Sequence, residues 1–226
     1  FFAEAHIEQG KLLEKNNLPV GIVNGIAGQA WLEVEFKGLA GHAGNTPMND
    51  RQDALVAAGR FVSELEELPK QVSSTAVATV GKLAVSPNGA NVIPESVKMI
   101  VDIRDIHEDT RDTLLELVTE LAKSIAEERN IGVTVSGTSR VKPVPVEEVY
   151  KQEFREILTG LNIEPMELPS GAGHDSMNIG LKLPVAMIFA RSKDGISHNP
   201  KEWTSLNDCV MTVHVLKKFI EKQMDK

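Results

Sequence analysis

The sequence predicts an α/β protein in which a ferredoxin-like βαββαβ domain interrupts a mostly parallel sheet. Across residues 24–138, segments with a two-residue apolar period alternate with segments of helical period. The continuous apolar run LPVAMIFA at 183–190 is typical of a parallel strand covered on both faces. The chain also opens on FFAEAHI, which has the pattern of a strand already under way.

The central segment, residues 24–138, supplies the βαββαβ order. Leu32, Val34 and Phe36 alternate with polar residues and predict a strand. Two further strands are predicted at 75–85 and 97–106, joined by the turn-rich SPNGANVIP, and IGVTVSG at 131–137 closes the order as a fourth. Two helices complete it, with apolar stripes at Ala54, Leu55, Ala58, Phe61, Val62 and Leu65, and at Leu114, Leu117, Val118, Leu121 and Ile125, the second capped by Asp109.

The flanks, residues 1–23 and 139–226, have a different pattern. A helix is predicted over VEEVYKQEFREILTGL, followed by the Gly-rich PSGAGHDSMNIG and the strand at 183–190. One or two parallel strands are too few for a stable sheet, so we expect further strands before Phe1 and regard the flanks as the remnant of a divided domain. The last helix is predicted to bury Leu206, Val210, Val213 and Ile220.

Composition restricts the partners. The 226 residues carry a net charge of −8 and a pI near 5.3, which argues against nucleic acid or an anionic membrane, since either needs a basic face. Cys209, the single cysteine, cannot form an internal disulfide and indicates a reducing, cytoplasmic location. Its apolar neighbours predict a buried thiol. No apolar run approaches the ~20 residues that span a bilayer.

Four of the six histidines lie in short segments rich in turn-forming residues. They are His6 in HIEQG, His42 in GHAGNTP, His174 in PSGAGHD and His198 in SHNP. Loops commonly hold binding residues, and imidazole is the commonest transition-metal ligand. We therefore predict a site assembled by folding. The alternative for His6 is a half-buried histidine hydrogen-bonded to the backbone. The alternative for His42 is an ordinary turn histidine.

Other polar residues extend this candidate site. Glu8 and Gln9 follow His6 and offer a base and an amide. Arg104 lies on the strand face opposite the apolar residues, where a guanidinium can clamp a carboxylate; the alternative is an ion pair with Asp102 or Asp105. Asn91 lies in the turn between the central strands, where an ordinary turn role is the alternative.

The sequence gives weaker support for nucleotide binding and for a serine or cysteine nucleophile. GAGHDS lacks the lysine and spacing of a nucleotide loop, so it suits an anionic group better than a nucleotide. No GxSxG elbow supports a serine nucleophile, and Cys209 lies in a predicted helix away from the histidine loops. Catalytic metal sites use about three protein ligands per ion. Either this is not a metal site, or its other ligands lie upstream of Phe1.

Taken in order, HIEQG, GHAGNTPMNDRQDA, NGANVIP, DIRD, GAGHD and SHNP resemble the M20 metallopeptidase-like amidohydrolases of the hydantoinase/carbamoylase branch. That branch contains N-carbamoyl-L-amino-acid hydrolases, allantoate amidohydrolases and β-ureidopropionases. The resemblance implies a metal-dependent hydrolase of non-peptide C–N bonds in linear amides or amidines. It covers essentially the whole chain. HIEQG discriminates best, because peptidase and aminoacylase relatives usually carry an acidic residue at the position of His6.

The resemblance also implies residue roles. His6 and His198 would each bind one of two divalent ions (Zn, Mn, Co or Ni), with the remaining ligands in a segment absent here. Gln9, Asn91, Arg104 and His174 would contact a small-molecule substrate, with Arg104 on its carboxylate. His42 would reach the neighbouring subunit's active site and polarise the scissile carbonyl. Residues 24–138 would form a lid that also dimerises, through sheet-edge and helix contacts.

The resemblance implies that this chain lacks the first half of the family's catalytic domain. We therefore expect the chain to be inactive and to bind metal poorly or not at all. Two alternatives remain. One is a non-catalytic dimerisation or binding module that keeps the lid fold. The other is an M20 aminopeptidase or aminoacylase, which His6 and the pair Asn91 and Arg104 disfavour.

Overall fold

The computed structural model describes residues 1–225, which form a mixed α/β chain. It divides into two compact units. One, here the divided unit, combines Phe1–Ala27 with the residues from Pro143 onward; the other, the inserted unit, is Gly28–Lys142. The inserted unit begins and ends slightly later than the expected 24–138, because residues 20–26 form one strand that belongs to the divided unit.

Strands and helices alternate along the chain. The strands are β1 (Phe2–Ile7), β2 (Val20–Ile26), β3 (Gly28–Lys37), β4 (Gly41–His42), β5 (Val77–Ser86), β6 (Val92–Ile93), β7 (Ser96–Asp105), β8 (Gly132–Arg140), β9 (Val144–Pro145), β10 (Glu167–Ser170) and β11 (Val185–Ala190). The helices are α1 (Leu12–Lys15), α2 (Ala54–Leu65), α3 (Leu68–Val72), α4 (Glu108–Glu128), α5 (Glu148–Gly160), α6 (Asp175–Ile179) and α7 (Leu206–Met224).

The divided unit contains a mixed sheet in the order β1-β11-β2-β10, with β9 on β2. The pairs β1–β11 and β2–β10 are parallel, whereas β11–β2 and β2–β9 are antiparallel. The described part of this sheet is therefore less parallel than the sequence predicts. The reason lies between β1 and β2, where α1 is a single turn; a crossover that returned β2 parallel to β1 needs a longer connection, usually a full helix.

Strand β11 lies inside this sheet, and every one of its residues is buried. Ala186 and Ile188 pack on the side of α5 and α7, while Met187 and Phe189 pack on the other side. Burial on both faces explains why the sequence of this strand is continuously apolar. Truncating a fully buried Phe or Met costs about 2–5 kcal/mol, so this strand anchors the unit.

Helix α7 buries a different face from the one predicted. Leu206, Val210, Val213 and Ile220 are exposed, and the buried face carries Asp208, Thr212, Val215 and Phe219. An ion pair fixes this register, because Asp208 accepts two hydrogen bonds from Arg191, at 2.9 and 3.1 Å. Cys209 follows the buried Asp208 and is exposed, so the prediction of a buried thiol was also wrong.

The inserted unit contains an antiparallel sheet in the order β5-β7-β3-β8. Helices α2 and α4 cover one face, on which Val97, Met99, Val101 and Ile103 are fully buried, as their alternation predicts. Two members of the predicted stripe of α2, Leu55 and Val62, are exposed instead. The opposite face of the sheet is open and carries polar residues among a few apolar ones.

Two short strands tie the His42 segment to the turn before β7. Gly41 pairs with Ile93 and His42 with Val92, a ladder too short to be seen in the sequence pattern. Gly38, at the start of this segment, has no room for a side chain, because a Cβ would overlap the carbonyl oxygen of Gln52. The segment is therefore held against the chain that leads into α2.

Helix α4 begins differently from the prediction. It starts at Glu108 with His107 at the N-cap position, and Asp109 lies in its first turn. The fully buried Asp105 accepts hydrogen bonds from Thr75 and Thr110, both at 2.6 Å, and so ties the segment before β5 and the start of α4 to the end of β7. Burial alone would raise the pKa of Asp105, but these hydrogen bonds outweigh it and hold the pKa below the usual 3.8.

We expect Asp105→Ala to lower the free energy of unfolding by about 2–3 kcal/mol at pH 7, because two hydroxyl donors lose a charged acceptor. Asp109→Ala, at an exposed position, should cost less than about 1 kcal/mol. Because the folded-state pKa of Asp105 is depressed, its contribution is present above pH 3.8 and is lost as the pH falls through that lower value. Urea unfolding between pH 2 and pH 7 measures the free energy of unfolding of both variants. If the difference between the two variants does not become smaller in acid, the assigned role of Asp105 is contradicted.

Candidate active site

His6 occupies the carboxyl end of β1, where its register partner is Phe189 of β11. Its Nδ1 lies 2.9 Å from the carbonyl oxygen of Ile7. A carbonyl can only accept, so Nδ1 is the donor, and in the neutral ring Nε2 carries the lone pair. Metal-binding histidines commonly show this arrangement, in which a backbone carbonyl fixes the tautomer.

Gln9 and His198 both adopt left-handed backbone conformations, with φ of 56° and 55°. Such conformations are uncommon outside glycine and concentrate at functional sites. Hydrogen bonds hold the two segments together: the Gln9 backbone N–H donates to Ser192 Oγ at 3.1 Å, and Gln9 Nε2 donates to Ser197 Oγ at 2.6 Å. The loop after β11 is thus fixed beside the loop after β1.

His6, Gln9 and His198 line one open cavity of about 570 Å³. Glu202 lies at the same cavity and accepts a hydrogen bond from the backbone N–H of His198 at 3.1 Å. Cys209 also lines it, so the expectation that this thiol lies away from the histidine loops was wrong. The exposed face of α7 brings it there, for the reason given above.

His174 packs against His6, with the ring centroids 4.6 Å apart. It is buried at the N-cap position of α6, and its Nε2 lies 2.6 Å from Ser170 Oγ. Burial, reinforced by the nearby His6, lowers the pKa of His174 below its usual 6.5. His174 is therefore neutral at pH 7. A second cavity of about 440 Å³ reaches both His6 and His174.

Two glutamates near His6 stabilise helices. Glu8 was considered as a base, but its carboxylate accepts hydrogen bonds from the backbone N–H groups of Leu12 (2.6 Å) and Leu13 (3.0 Å) and so caps α1. Glu4 accepts from the backbone N–H (2.9 Å) and the hydroxyl (2.6 Å) of Ser176 at the start of α6. Sequence reasoning missed Glu4, although its position two residues before His6 places both on one face of β1.

In the inserted unit, His42 and Asn91 lie on adjoining segments. The Ala43 backbone N–H donates to the Asn91 carbonyl at 3.0 Å. The Gly44 backbone N–H donates to Nδ1 of the exposed His42 at 3.0 Å, so the neutral ring carries its proton on Nε2. Arg51, which sequence reasoning also missed, holds the loop through the carbonyls of Ala43 and Thr46. The arrangement presents an imidazole N–H donor to solvent.

Arg104 lies near the far end of β7, on the open face, and forms a two-pronged pair with Asp102. Nε and Nη2 donate to the two carboxylate oxygens, both at 2.8 Å. The pairing considered as an alternative is therefore present. Burial opposes ionisation of Asp102, but the bonds from Arg104 and from Trp31 Nε1 (2.9 Å) keep its pKa below the usual range.

The candidate residues thus form separate groups. His6, Gln9, His174 and His198 meet within the divided unit, and His42 meets Asn91 within the inserted unit. Arg104 does not join His42 and Asn91, because it is eight residues from Ser96 at the other end of β7, roughly 26 Å at the usual rise of a strand.

Within residues 1–225, no group of three or more His, Cys, Asp or Glu side chains is placed to hold a metal ion. No described helix combines the length and the apolar character needed to cross a membrane.

This chain is similar in sequence to amidohydrolases of several bacteria. It is 43% identical over 215 residues to the N-carbamoyl-L-amino acid amidohydrolase of Geobacillus stearothermophilus, covering 95% of this chain and 52% of that one. It is 37% identical over 225 residues to the allantoate amidohydrolase of Bacillus subtilis (strain 168), covering 98% and 54%. The chain thus spans about half the length of the curated relatives it matches.

Solved structures similar to this chain come from the same group of proteins. An amidase of the hydantoinase/carbamoylase family from Burkholderia multivorans superposes with a TM-score of 0.89 at 33% identity, covering 95% of this chain and 52% of that one. The sequence model of peptidase family M20/M25/M40 matches residues 1–222. The chain therefore belongs to the peptidase family M20/M25/M40.

Proposed function

We propose that this chain is part of a dinuclear-metal amidohydrolase that hydrolyses the ureido (carbamoyl) C–N bond of N-carbamoyl amino acids or allantoate. The observation that carries the proposal is the shared cavity of His6 and His198, with Gln9 beside them. Relatives named for these two reactions supply the substrate classes. Both substrate classes contain a ureido group whose nitrogen is attached to the carbon that bears the carboxylate.

In this proposal the divided unit is the catalytic part and the inserted unit is the lid. Support for a ferredoxin-like lid comes from its order β3, α2, β5, β7, α4, β8 and from the strand order β5-β7-β3-β8. We propose further that the sheet of the catalytic part is mostly parallel, and the parallel pairs β1–β11 and β2–β10 support this.

The donor set fits half of a metal centre. His6 Nε2 and the His198 imidazole would each bind one divalent ion, and imidazole suits zinc and nickel. Each ion of such a centre usually takes about three protein ligands, and residues 1–225 provide no cluster of that size. Further ligands must therefore come from other residues. When bound, such ions act as Lewis acids on the carbonyl.

The side chains have separable tasks. The neutral His174 would hydrogen-bond a polar substrate group, and the Gln9 amide would orient the ureido group. Arg104 would hold the substrate carboxylate, and Asn91 would contact the substrate from the lid. The Nε2–H of His42 is a hydrogen-bond donor of the kind needed to polarise a scissile carbonyl. We propose that His42 performs this role in the active site of the neighbouring subunit.

The incomplete ligand set predicts that residues 1–226 alone do not hydrolyse these substrates. With added Zn²⁺, Mn²⁺ or Co²⁺, this chain should release no ammonia or amino acid from N-carbamoyl-L-amino acids or allantoate. A longer natural polypeptide that contains it should release both. N-acyl amino acids and dipeptides belong in the same panel, because preference for them would indicate an aminoacylase or peptidase. Turnover by residues 1–226 alone would contradict the ligand argument.

Arg104→Ala in that longer polypeptide should raise KM for carboxylate substrates roughly 10–100-fold, because a charge-assisted hydrogen bond is lost, and should change kcat less. Arg60→Ala, which removes an arginine paired with Glu64 and Glu128 on α2 and α4, is the matched control. Steady-state kinetics measure both. An unchanged KM in Arg104→Ala would remove the role of this residue.

The lid also carries features of a dimer interface. On α2, Leu55, Gly59 and Val62 follow the spacing of one helix face; Leu55 and Val62 are exposed, and the space next to Gly59 is open. Strand β5 is an edge of its sheet and exposes Val77 and Leu83. Unpaired edges and exposed apolar helix faces are surfaces on which a second copy can pack.

We therefore expect the chain to form a homodimer in solution, with about twice its mass of 24.7 kDa. Leu55→Glu combined with Val62→Glu should yield a folded monomer, because two charges would be buried without partners. Val149→Glu, at a similarly exposed valine on α5, should remain dimeric. Light scattering after gel filtration measures the mass. A dimer that persists in the double variant would exclude this surface.

A further inference from the structure

The open face of the lid sheet carries a cavity of about 650 Å³. Its floor is formed by Trp31 of β3 together with Ile100 and Asp102 of β7. Pockets for small molecules typically have volumes of about 300–1,000 Å³ and are mostly apolar with a few polar groups. This cavity lies entirely within the inserted unit, and the proposed function assigns it nothing.

Irregularities in both outer strands form its walls. The pairing of β5 with β7 shifts register between Val80 and Lys82, so that Gly81 is the extra residue. The pairing of β8 with β3 shifts at Trp31, where Thr138 is the extra residue. Bulges bend a strand and often occur next to binding sites. Here one lies on each side of the tryptophan, and Gly81 adds no side chain to the wall.

The indole of Trp31 is held in place although 40% of the residue is exposed. Its Nε1–H donates to Asp102 Oδ2 at 2.9 Å, and Asp102 also binds the Arg104 guanidinium. One carboxylate therefore fixes an aromatic surface and a cation next to each other. A rigid aromatic group presents a large apolar area with little loss of conformational entropy on binding.

The spacing suits a molecule with an acid at one end and an apolar group at the other. Arg104 follows Asp102 by two residues on the same face, about 7 Å along the strand. Trp31 is directly opposite Asp102 on the neighbouring strand, about 5 Å away, and Ile100 is two residues further from Arg104. Arg104 Nη2 and Trp31 Nε1 both donate to Asp102 Oδ2, at 2.8 and 2.9 Å, so the guanidinium and the indole meet at one oxygen atom. A leucine derivative, whose carboxylate and side chain are only a few bonds apart, can therefore contact both groups.

We propose that this cavity receives the apolar side chain of the substrate whose carboxylate Arg104 holds, and that Trp31 and Ile100 set the preference for that side chain. The inference rests on the proposed function, because it takes the Arg104 ligand to be a carboxylate substrate. It adds a selectivity for medium-sized apolar side chains, such as that of leucine, over a bare glycine derivative.

The test uses Trp31 as the reporter. The sequence contains two tryptophans, so Trp203→Phe leaves Trp31 as the only indole. Its fluorescence is titrated with N-carbamoylglycine, N-carbamoyl-L-leucine and 4-methylpentanoate, which has the leucine side chain and a carboxylate but no ureido group. We expect both leucine-like ligands to change the emission and to bind about tenfold more tightly than the glycine derivative, because apolar burial strengthens binding.

Variants in the Trp203→Phe background separate the two contacts. Ile100→Ala and the more conservative Ile100→Thr should remove most of the preference for the leucine-like ligands, while Arg104→Met should weaken all three. Val149→Ala on α5 is the matched control and should bind as the parent does. Circular dichroism confirms that each variant is folded.

Three outcomes would overturn the inference. They are emission unchanged by all three ligands, equal affinity for the glycine and leucine derivatives, and conversion of a dimer to a monomer by Ile100→Glu, which would show that a second copy covers this face. The hydrolysis assay tests the proposed function separately. Side-chain-dependent binding without any carbamoylase activity in the longer polypeptide would leave the pocket standing and remove the proposed reaction.

Discussion

The parallel pairing of β1 with β11 is the interaction on which the candidate site depends. It joins residues 2–7 to residues 185–190 and aligns the carboxyl ends of both strands at the same edge of the sheet. The loops that follow, with His6 and Gln9 on one side and His198 on the other, therefore meet. In open α/β sheets this edge is where ligands collect. The burial of β11 on both faces makes the pairing rigid.

Two residues near that edge, Gln9 and His198, are held in backbone conformations that non-glycine residues disfavour. The left-handed backbones of Gln9 and His198 cost about 1–3 kcal/mol each when imposed on ordinary residues. The hydrogen bonds from Gln9 to Ser192 and Ser197 and from His198 to Glu202 offset part of this cost. The bond from Gln9 Nε2 to Ser197 also fixes the direction of the amide before any ligand arrives, which is the usual requirement for a precise site.

Sequence patterns predicted those parts of the fold in which one periodicity dominates. The alternation of Val97, Met99, Val101 and Ile103 placed both faces of β7, and with them the open-face position of Arg104. The prediction failed on α7, where the ion pair of Asp208 with Arg191 buries a charged residue and leaves Leu206 and Val210 exposed. A pattern of apolar residues cannot reveal a buried pair whose partner lies on another element.

The candidate site shows the same division. The residues of the histidine loops were identifiable because turn-forming neighbours surround them, and His6 and His198 proved to share a cavity as the topology rule suggests. The supporting residues were not identifiable. Glu4 and Arg51 act through long-range or backbone contacts that only the folded chain brings together. Glu8, by contrast, has the residue type of a catalytic base but caps a helix.

The central claim is that His6 and His198 face one cavity, and Cys209 offers a direct test because this single, exposed cysteine lines the same cavity. A nitroxide spin label on Cys209 broadens nearby nuclear resonances, and chemical reduction of the label restores them. The account predicts that the imidazole signals of both His6 and His198 broaden and then recover on reduction. A signal from either ring that stays sharp with the label oxidised would contradict it.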